Sequence, residues 1–490
     1  MAAPTSTSAR TPEELLAGLP GVARVSAEEV ARAAAASRRL VVLDDDPTGT
    51  QTVADVPIVT AWGEDDLRWA MRQDCSGFYV LTNTRSLPPA AAAQRNVEVM
   101  SALARVVREE AVEVAIVSRS DSTLRGYFPL ETDVLVRAWE GQLGGAVDGI
   151  VIVPAYIDAG RITVDSVHWV RTSEGFLPAG ESEFAADPAF GYHSSDLREY
   201  VAEKTGGRWR SGDVARITLE QLRRGGVGVV TEALRELRGA RPVVVDAAAD
   251  EDLRVLALAA IAAERAGSTF IYRVGPSFVR NRLGQEAQPP LAGEALAALA
   301  RRVAAGGGTP RARGGLVVAG SFVGLTTRQL RQLEAAGGTT QLTLEVPELL
   351  AAEDPADVLG TLADKAVAVL ARGDVIVRTS RELVAAGGGG QSLAASARVS
   401  AGLVEIVRSV IERATPRWIV AKGGITSSDV ATHALGIRRA WVRGTLLPGI
   451  VSLWEPVGDS ACAVPYVVFA GNVGDEGSLA SVVATLREAG

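Results

Sequence analysis

Cysteine, histidine and lysine are all scarce in this chain. The two cysteines, Cys75 and Cys462, stand far apart with no CxxC pair. That excludes a disulfide framework and a cysteine zinc site as organising features, and both are expected to be buried thiols. The three histidines are scattered without an HExxH spacing, which argues against a histidine-based metal site. No apolar run reaches the roughly 18 residues of a membrane span. The first 20 residues lack the apolar core of a secretion signal, and residues 1–25 read as a loose, flexible polar leader. The expectation is a cytoplasmic protein with no membrane partner. A net charge of −8 argues against nucleic acid as the main partner, because phosphate backbones reward an excess of Lys and Arg. Neither GxxxxGK[ST] nor GxGxxG occurs, so an ordinary P-loop and a dinucleotide fingerprint are both absent.

What the chain does have is a recurring alternation. Short apolar runs such as "RLVVLD", "GFYVLT", "VEVAIVS", "GIVIVP", "RPVVVD" and "TFIYR" are separated by Ala-, Leu- and Arg-rich stretches of helical period. Continuous apolar strands between helices mean a mostly parallel sheet covered on both faces. At 490 residues the chain is too long for one ordinary core, and the expectation is an α/β protein of two domains, each a mostly parallel sheet flanked by helices. The Gly- and Pro-rich stretch "AAGGGTPRARGG" supplies a linker at 306–315, between a first domain at 26–305 and a second at 316–490. Residues 172–216 are polar and aromatic without a strong strand, and read as an insertion or lid. "AAGGGGQS" near residue 388 reads as a flexible loop.

In open parallel sheets, ligands sit outside the carboxyl ends of the strands. Those exits are polar in the first domain. They carry Asp44, Asp45, Asp46 and "PTGT"; then Thr82 to Ser86 with Arg85; then Arg119, Ser120, Asp121, Ser122 and Arg125; then Ala155 to Arg161. Arginine grips a carboxylate bidentately, and aspartate beside a hydroxyl can orient it or take its proton. The mix suits a polyhydroxylated anion. Three adjacent aspartates repel one another, so they are expected to face different partners: a hydroxyl, an arginine and a magnesium ion. The alternative for this stretch alone is a capped turn.

The second domain has Gly320-Ser321 after one strand, Lys422 to Ser427 after another, and Gly471, Asn472, Gly474 and Gly477 after a third. Thr326 is placed to cap one following helix, and another helix is expected to start near Ser428. Glycines let backbone N–H groups approach phosphate, so three such loops on one sheet make a nucleotide site, although each alone is a common strand-to-helix turn. His168, amid apolar neighbours in "VHWV", is either a satisfied strand histidine or a substrate contact; His433 reads as structural.

These residues resemble the four-carbon acid sugar kinases. The resemblance rests on Asp45-Asp46-Pro47-Thr48-Gly49-Thr50 and, most specifically, on Asp121-Ser122-Thr123-Leu124-Arg125-Gly126. Gly160-Arg161, Ser277 to Arg280, Gly320-Ser321, Gly423-Gly424 and Gly471 to Gly474 follow in order, covering nearly the whole chain. It implies an N-terminal sugar-acid domain, a C-terminal nucleotide domain and an active site in the cleft between them. By position, Asp45, Arg85, Arg119, Ser122, Arg125 and Arg161 would bind the acid, with Arg119 and Arg85 on its carboxylate. Asp46 or Asp121 would orient or deprotonate the attacking hydroxyl. Ser321, Gly423, Gly424, Ile425, Thr426, Gly471 and Gly474 would line the ATP site, with Mg2+ accompanying the triphosphate on ligands the sequence does not specify. The chain departs from the family in carrying Arg119 for a lysine, and in lacking an acidic residue in its Gly423-Gly424-Ile425-Thr426 loop. The implied activity is ATP-dependent phosphorylation of threonate, erythronate or a 3-oxo-tetronate on its terminal hydroxyl. The rivals are a dehydrogenase or aldolase of a similar acid, and a non-catalytic sensor that binds acid and nucleotide. A homodimer is allowed on general grounds.

Overall fold

The computed structural model describes residues 9–305, 311–320, 324–380, 389–458 and 463–489. The chain divides into two compact units, one of residues 1–49 and 62–287 and the other of residues 50–61 and 288–490.

The strands of the first unit are the apolar runs of the sequence, and they are buried along almost their whole length because helices cover both faces. Seven lie parallel, in the order Gly77–Leu81, Arg39–Asp44, Val114–Arg119, Phe270–Val274, Gly149–Val153, Arg241–Val245 and Ala215–Ile217. From Arg39–Asp44 the chain moves to one neighbour, Gly77–Leu81, and then returns to the other side at Val114–Arg119. The order therefore reverses around Arg39–Asp44, and a reversal of this kind opens a crevice at the carboxyl ends of the strands. Asp44 to Asp46 and Arg119 to Asp121 occupy those ends.

The insertion expected at 172–216 is a folded part of this unit. Arg161–Val164, Val167–Thr172 and Gly175–Pro178 form a small antiparallel sheet. Tyr192, Leu197, Tyr200 and Val201 bury with Phe128, Ile150, Ile152 and Val170 in one core. Aromatics spaced through a polar stretch supplied that core, so the segment is anchored rather than loose.

The second unit has the order Thr339–Leu344, Asp374–Thr379, Leu316–Ala319, Ile419–Lys422, Tyr466–Phe469, Val451–Val457, Arg439–Leu447 and Val56–Val59. The first five strands are parallel and the rest antiparallel. Here the order reverses between Leu316–Ala319 and Ile419–Lys422, which places the Gly320 and Gly423 loops at the crevice.

The units divide earlier than the Gly-rich stretch suggests. The helix Gly293–Ala305 packs Leu296, Leu299 and Val303 into the core of the second unit. Residues 306–310 of the expected linker lie outside the described residues. The remainder is tightly held: Arg311 and Ala312 donate to the carbonyl of Thr415, and Arg313 and Gly314 to that of Leu370. A Cβ at Gly314 or Gly315 would overlap Gly373 or Trp418, so these glycines serve close packing rather than flexibility. Residues 381–388 of the loop expected near residue 388 also lie outside the described residues, and the chain from Gly389 is helical. Cys75 is a partly buried thiol, and Cys462 lies outside the described residues. No helix among the described residues is long and apolar enough to cross a membrane.

Candidate active site

The three aspartates that end Arg39–Asp44 have three different environments. Asp44 is fully buried, with Oδ1 2.8 Å from Nε of Arg119. Arg119 is itself buried, and its guanidinium also donates to the backbone carbonyls of Ser120 and Asp46. Asp45 lies 3.9 Å from both Arg119 and Arg85, and neither of its carboxylate oxygens has a hydrogen-bond partner among the described residues. Burial raises its pKa, against the pull of Arg85 and Arg119. Asp46 is at the surface of the cluster. Its Oδ2 is 2.5 Å from Arg85 Nη2, and its Oδ1 accepts from the backbone N–H and hydroxyl of Thr48. Burial works to raise Asp46, but Arg85 and Thr48 outweigh it and hold the carboxyl below its usual value.

Gly49 makes this arrangement possible. A Cβ there would overlap both Oδ2 of Asp44 and the Arg119 guanidinium. The Pro-Thr-Gly-Thr turn thus lies flat against a buried ion pair, which is why a carboxylate-rich strand end is followed by a glycine.

Arg85 connects this exit to the next, with Nη1 3.7 Å from Asp121 Oδ2. That same oxygen takes Arg125 Nε at 2.6 Å and the Thr123 hydroxyl. Burial opposes ionisation of Asp121, but Arg85 and Arg125 overcome it and keep the carboxyl well below the usual range. Asp121 Oδ1 has no hydrogen-bond partner among the described residues, and the side chain is 14% exposed. Asp46 has no such spare oxygen. Arg161 completes the group. Its Nε is buried without an acceptor, and it forms no ion pair with a carboxylate among the described residues. Its guanidinium lies over the rings of Tyr156 and Phe184. Burial lowers its pKa while Asp121 pulls the other way.

The sequence-based roles shift accordingly. Asp45, Asp46, Arg85, Arg119, Asp121, Arg125 and Arg161 do come together. Arg119, expected on the substrate carboxylate, is instead committed beneath the surface to Asp44. Arg85 is shared among three aspartates. Arg161 has no carboxylate partner among the described residues. Ser122 is buried and contributes its backbone: its carbonyl accepts from Nε2 of His168 at 2.7 Å.

That contact is one of three the sequence did not reveal. Tyr192 donates to the carbonyl of Thr123 at 2.8 Å, and Tyr200 to that of Leu124 at 2.9 Å. Three successive carbonyls of the Asp121–Gly126 loop are thus held by buried side chains from residues 167–204. Leu124 has a left-handed φ of 67°, a conformation that costs energy unless its surroundings enforce it. His168 is the satisfied strand histidine. Nε2–H donates to Ser122, so Nδ1 accepts from Thr163, and burial pushes its pKa down to about 4. Glu131 and Arg273 also lie beneath the loop: Glu131 accepts from Thr84 at 2.5 Å, and Arg273 donates to Ser120. Nothing in the local sequence marks Tyr192, Tyr200, Glu131 or Arg273.

In the second unit three loops are tied to one another. Thr426 Oγ1 would lie 2.7 Å from a Cβ at Gly320, so those loops abut. Lys422 donates to Ala470 O at 2.5 Å and Gly423 N–H to Phe469 O at 2.8 Å. Thr326 donates to Gly471 O, and Gln329 to the carbonyls of Val473 and Asp475. Thr326 is therefore inside the helix Gly324–Ala335 rather than at its cap. The other helix starts at Gly424 instead of near Ser428, so Gly424, Ile425 and Thr426 form its first turn. Gly423 has φ 118° and Gly474 φ 78°, values open to glycine at little strain. A Cβ at Gly474 would meet Ser478 Oγ at 2.5 Å. Ile425 is 59% exposed, an apolar surface suited to a planar base. Ser321 lies outside the described residues. Lys422 is fully buried, stacked 3.8 Å from the Phe469 ring centroid, and burial pushes its pKa down to about 7.

A nucleotide-bound Mg2+ keeps waters and takes only one or two carboxylates. Among the described residues there is no group of three or more His, Cys, Asp or Glu that could cage a metal. Asp45, facing Arg85 and Arg119 but accepting no hydrogen bond among the described residues, is the carboxylate of the first unit with coordination capacity left for such an ion.

Comparisons with known proteins match both halves of the chain. Residues 40–282 match the family model of a sugar-binding N-terminal domain, and residues 316–479 that of a nucleotide-binding C-terminal domain. A D-erythronate kinase of Heliobacterium modesticaldum is 30% identical over 234 residues, 47% of this chain and 45% of that protein. The chain thus aligns with about half the length of that relative. A Salmonella typhimurium LT2 protein whose structure carries a provisional tRNA synthase label superposes with a TM-score of 0.63 at 20% identity, over 90% of this chain and 98% of its own. Haemophilus influenzae protein HI1011, of family DUF1537, gives 0.58 at 18% identity, over 91% and 100%. These two show the shared fold. With both halves matched in order and the acid-lined exits in place, the chain belongs to the four-carbon acid sugar kinase family.

Proposed function

We propose that the protein is an ATP-dependent kinase of a four-carbon sugar acid, of the erythronate, threonate or 3-oxo-tetronate type, acting on the terminal hydroxyl. The observation that carries this reading is the combination of Arg161, a guanidinium with no carboxylate partner among the described residues, and Asp121, a carboxylate with one oxygen free beside the switch point of the first unit's sheet. An acid that is also a polyol satisfies both.

In this reading the edge of Arg161 takes the substrate carboxylate. Asp121 Oδ1 accepts a hydrogen bond from the attacking hydroxyl. Arg85 and Arg125 keep Asp121 ionised and hold it in one orientation. A low carboxylate pKa suits this role, because a loose phosphoryl-transfer transition state needs the hydroxyl aligned more than it needs a strong base. Asp46, saturated by Arg85 and Thr48, positions Arg85. Asp45 is the residue that would hold Mg2+, which when bound neutralises charge on the triphosphate. Gly423, Gly424, Thr426, Gly471 and Gly474 cradle the phosphates, and Ile425 faces the base. The D-erythronate kinase similarity and the nucleotide-binding match support the donor assignment.

The test is nucleotide turnover by the purified full chain with Mg2+ and ATP against D- and L-erythronate, D- and L-threonate and their 3-oxo forms. Acid-dependent ADP release on one or two of them is expected. Acid binding without turnover would favour a sensor.

A further inference from the structure

We infer that Phe184, on the 172–216 insertion, is a specificity-determining residue that walls the carboxylate subsite and restricts it to short acids. This deepens the acid-site reading and does not depend on phosphoryl transfer.

Phe184 sits in the short turn Glu183–Ala186. Its ring centroid lies 5.2 Å from Arg125 Cζ and 5.9 Å from Arg161 Cζ. One apolar ring therefore faces two guanidiniums that repel each other. Arg161 is flanked again by Tyr156, at 5.6 Å. A guanidinium placed against two aromatic rings keeps its planar edge for a ligand while its faces are shielded from water. The buried, unpaired Nε of Arg161 is on that guanidinium. Shielding strengthens a carboxylate contact at the edge and removes the space a longer chain would need.

The wall is also fixed relative to the catalytic loop. Tyr192 N–H donates to Ala185 O at 3.1 Å and Gly191 N–H to Asp187 O at 2.8 Å, closing the segment that carries Phe184. The Tyr192 hydroxyl in turn donates to Thr123 O. The turn bearing Phe184 and the loop bearing Asp121 are thus linked through one side chain. The span between the carboxylate grip and the hydroxyl acceptor is set, and only an acid whose terminal hydroxyl falls at that span satisfies both ends.

The experiment is calorimetric titration of the full chain with D-erythronate, with the six-carbon acid D-gluconate, and with erythritol, which lacks the carboxylate. The proteins are wild type, Phe184→Ala, Phe184→Leu and Phe184→Tyr, each checked for a cooperative melt. Wild type is expected to prefer erythronate over gluconate by at least roughly tenfold, and over erythritol by more. Phe184→Ala and Phe184→Leu are expected to bring the erythronate-to-gluconate ratio of Kd values below about threefold, with erythronate bound more weakly than by wild type. Phe184→Tyr, which keeps the ring, is expected to retain the preference. An undiminished ratio in a folded Phe184→Ala or Phe184→Leu protein overturns the inference alone. Failure of wild type to bind any sugar acid overturns the acid-site reading together with it.

Discussion

Gly49→Ala adds one carbon where the first unit has no room. The new Cβ would overlap Oδ2 of Asp44 and the guanidinium of Arg119. Both side chains are buried, so neither can swing into solvent, and the 2.8 Å contact between them must open. Uncoupling a buried ion pair destabilises by about 3–5 kcal/mol, because it leaves charge buried without compensation. That is a large share of the roughly 5–15 kcal/mol that holds a domain folded. The measurement is urea unfolding of wild type and Gly49→Ala, following the transition of the first unit. A loss of about 3 kcal/mol or more is expected, with turnover lost as the turn carrying Asp46 is displaced. A loss under about 1 kcal/mol would show that the pair relaxes freely and that Gly49 is not required by it.

Asp121→Asn keeps the shape of the side chain but removes the ionised oxygen facing the site. It is expected to lower kcat by about 100-fold or more while the protein still melts cooperatively; full activity would remove Asp121 from the chemistry. Asp46→Asn is expected to lose activity while still folding, because Arg85 loses its 2.5 Å partner; a steady-state assay at saturating acid checks it. Lys422 has its pKa pushed from 10.5 down to about 7 by burial, so between those values the unfolded chain binds the additional proton. Its penalty is full below about pH 7 and fades toward pH 10.5, and stability rises with pH across that window. The stability of Lys422→Met relative to wild type is therefore expected to fall by about 2 kcal/mol from pH 7 to pH 9 in paired urea titrations; a pH-independent difference would contradict a depressed lysine.

The parts of this molecule that could be read in sequence are those encoded locally. A strand buried on both faces is a continuous apolar run, so "RLVVLD" and "GIVIVP" announced the parallel sheet. A strand exit must be polar to serve a ligand, so Asp44 to Asp46, Arg119 to Asp121 and Arg161 stood out. Long-range packing was not legible. Residues 50–61 join the second unit because Val56–Val59 pairs with Arg439–Leu447, a partner almost 400 positions away with no local signature. The helix Gly293–Ala305 has an apolar stripe that could serve either core, and only the fold assigns it. Roles within the site were hidden for a related reason. Arg119 and Arg161 are the same residue type, each following an apolar run, yet one is neutralised under the surface by Asp44 and the other has no carboxylate partner among the described residues. His168 stands in an apolar run, and Tyr192 and Tyr200 lie 24 and 32 positions further on, in a stretch that reads as a polar lid. Their common purpose, holding three consecutive carbonyls of one loop, exists only in three dimensions.

The measurement that bears most directly on the whole account is ADP release by the purified protein with ATP and Mg2+, in the presence and absence of each four-carbon sugar acid. The account predicts turnover that depends on one or two of those acids and is abolished in Asp121→Asn. ATP hydrolysis indifferent to every acid, or no nucleotide turnover at all, would contradict it.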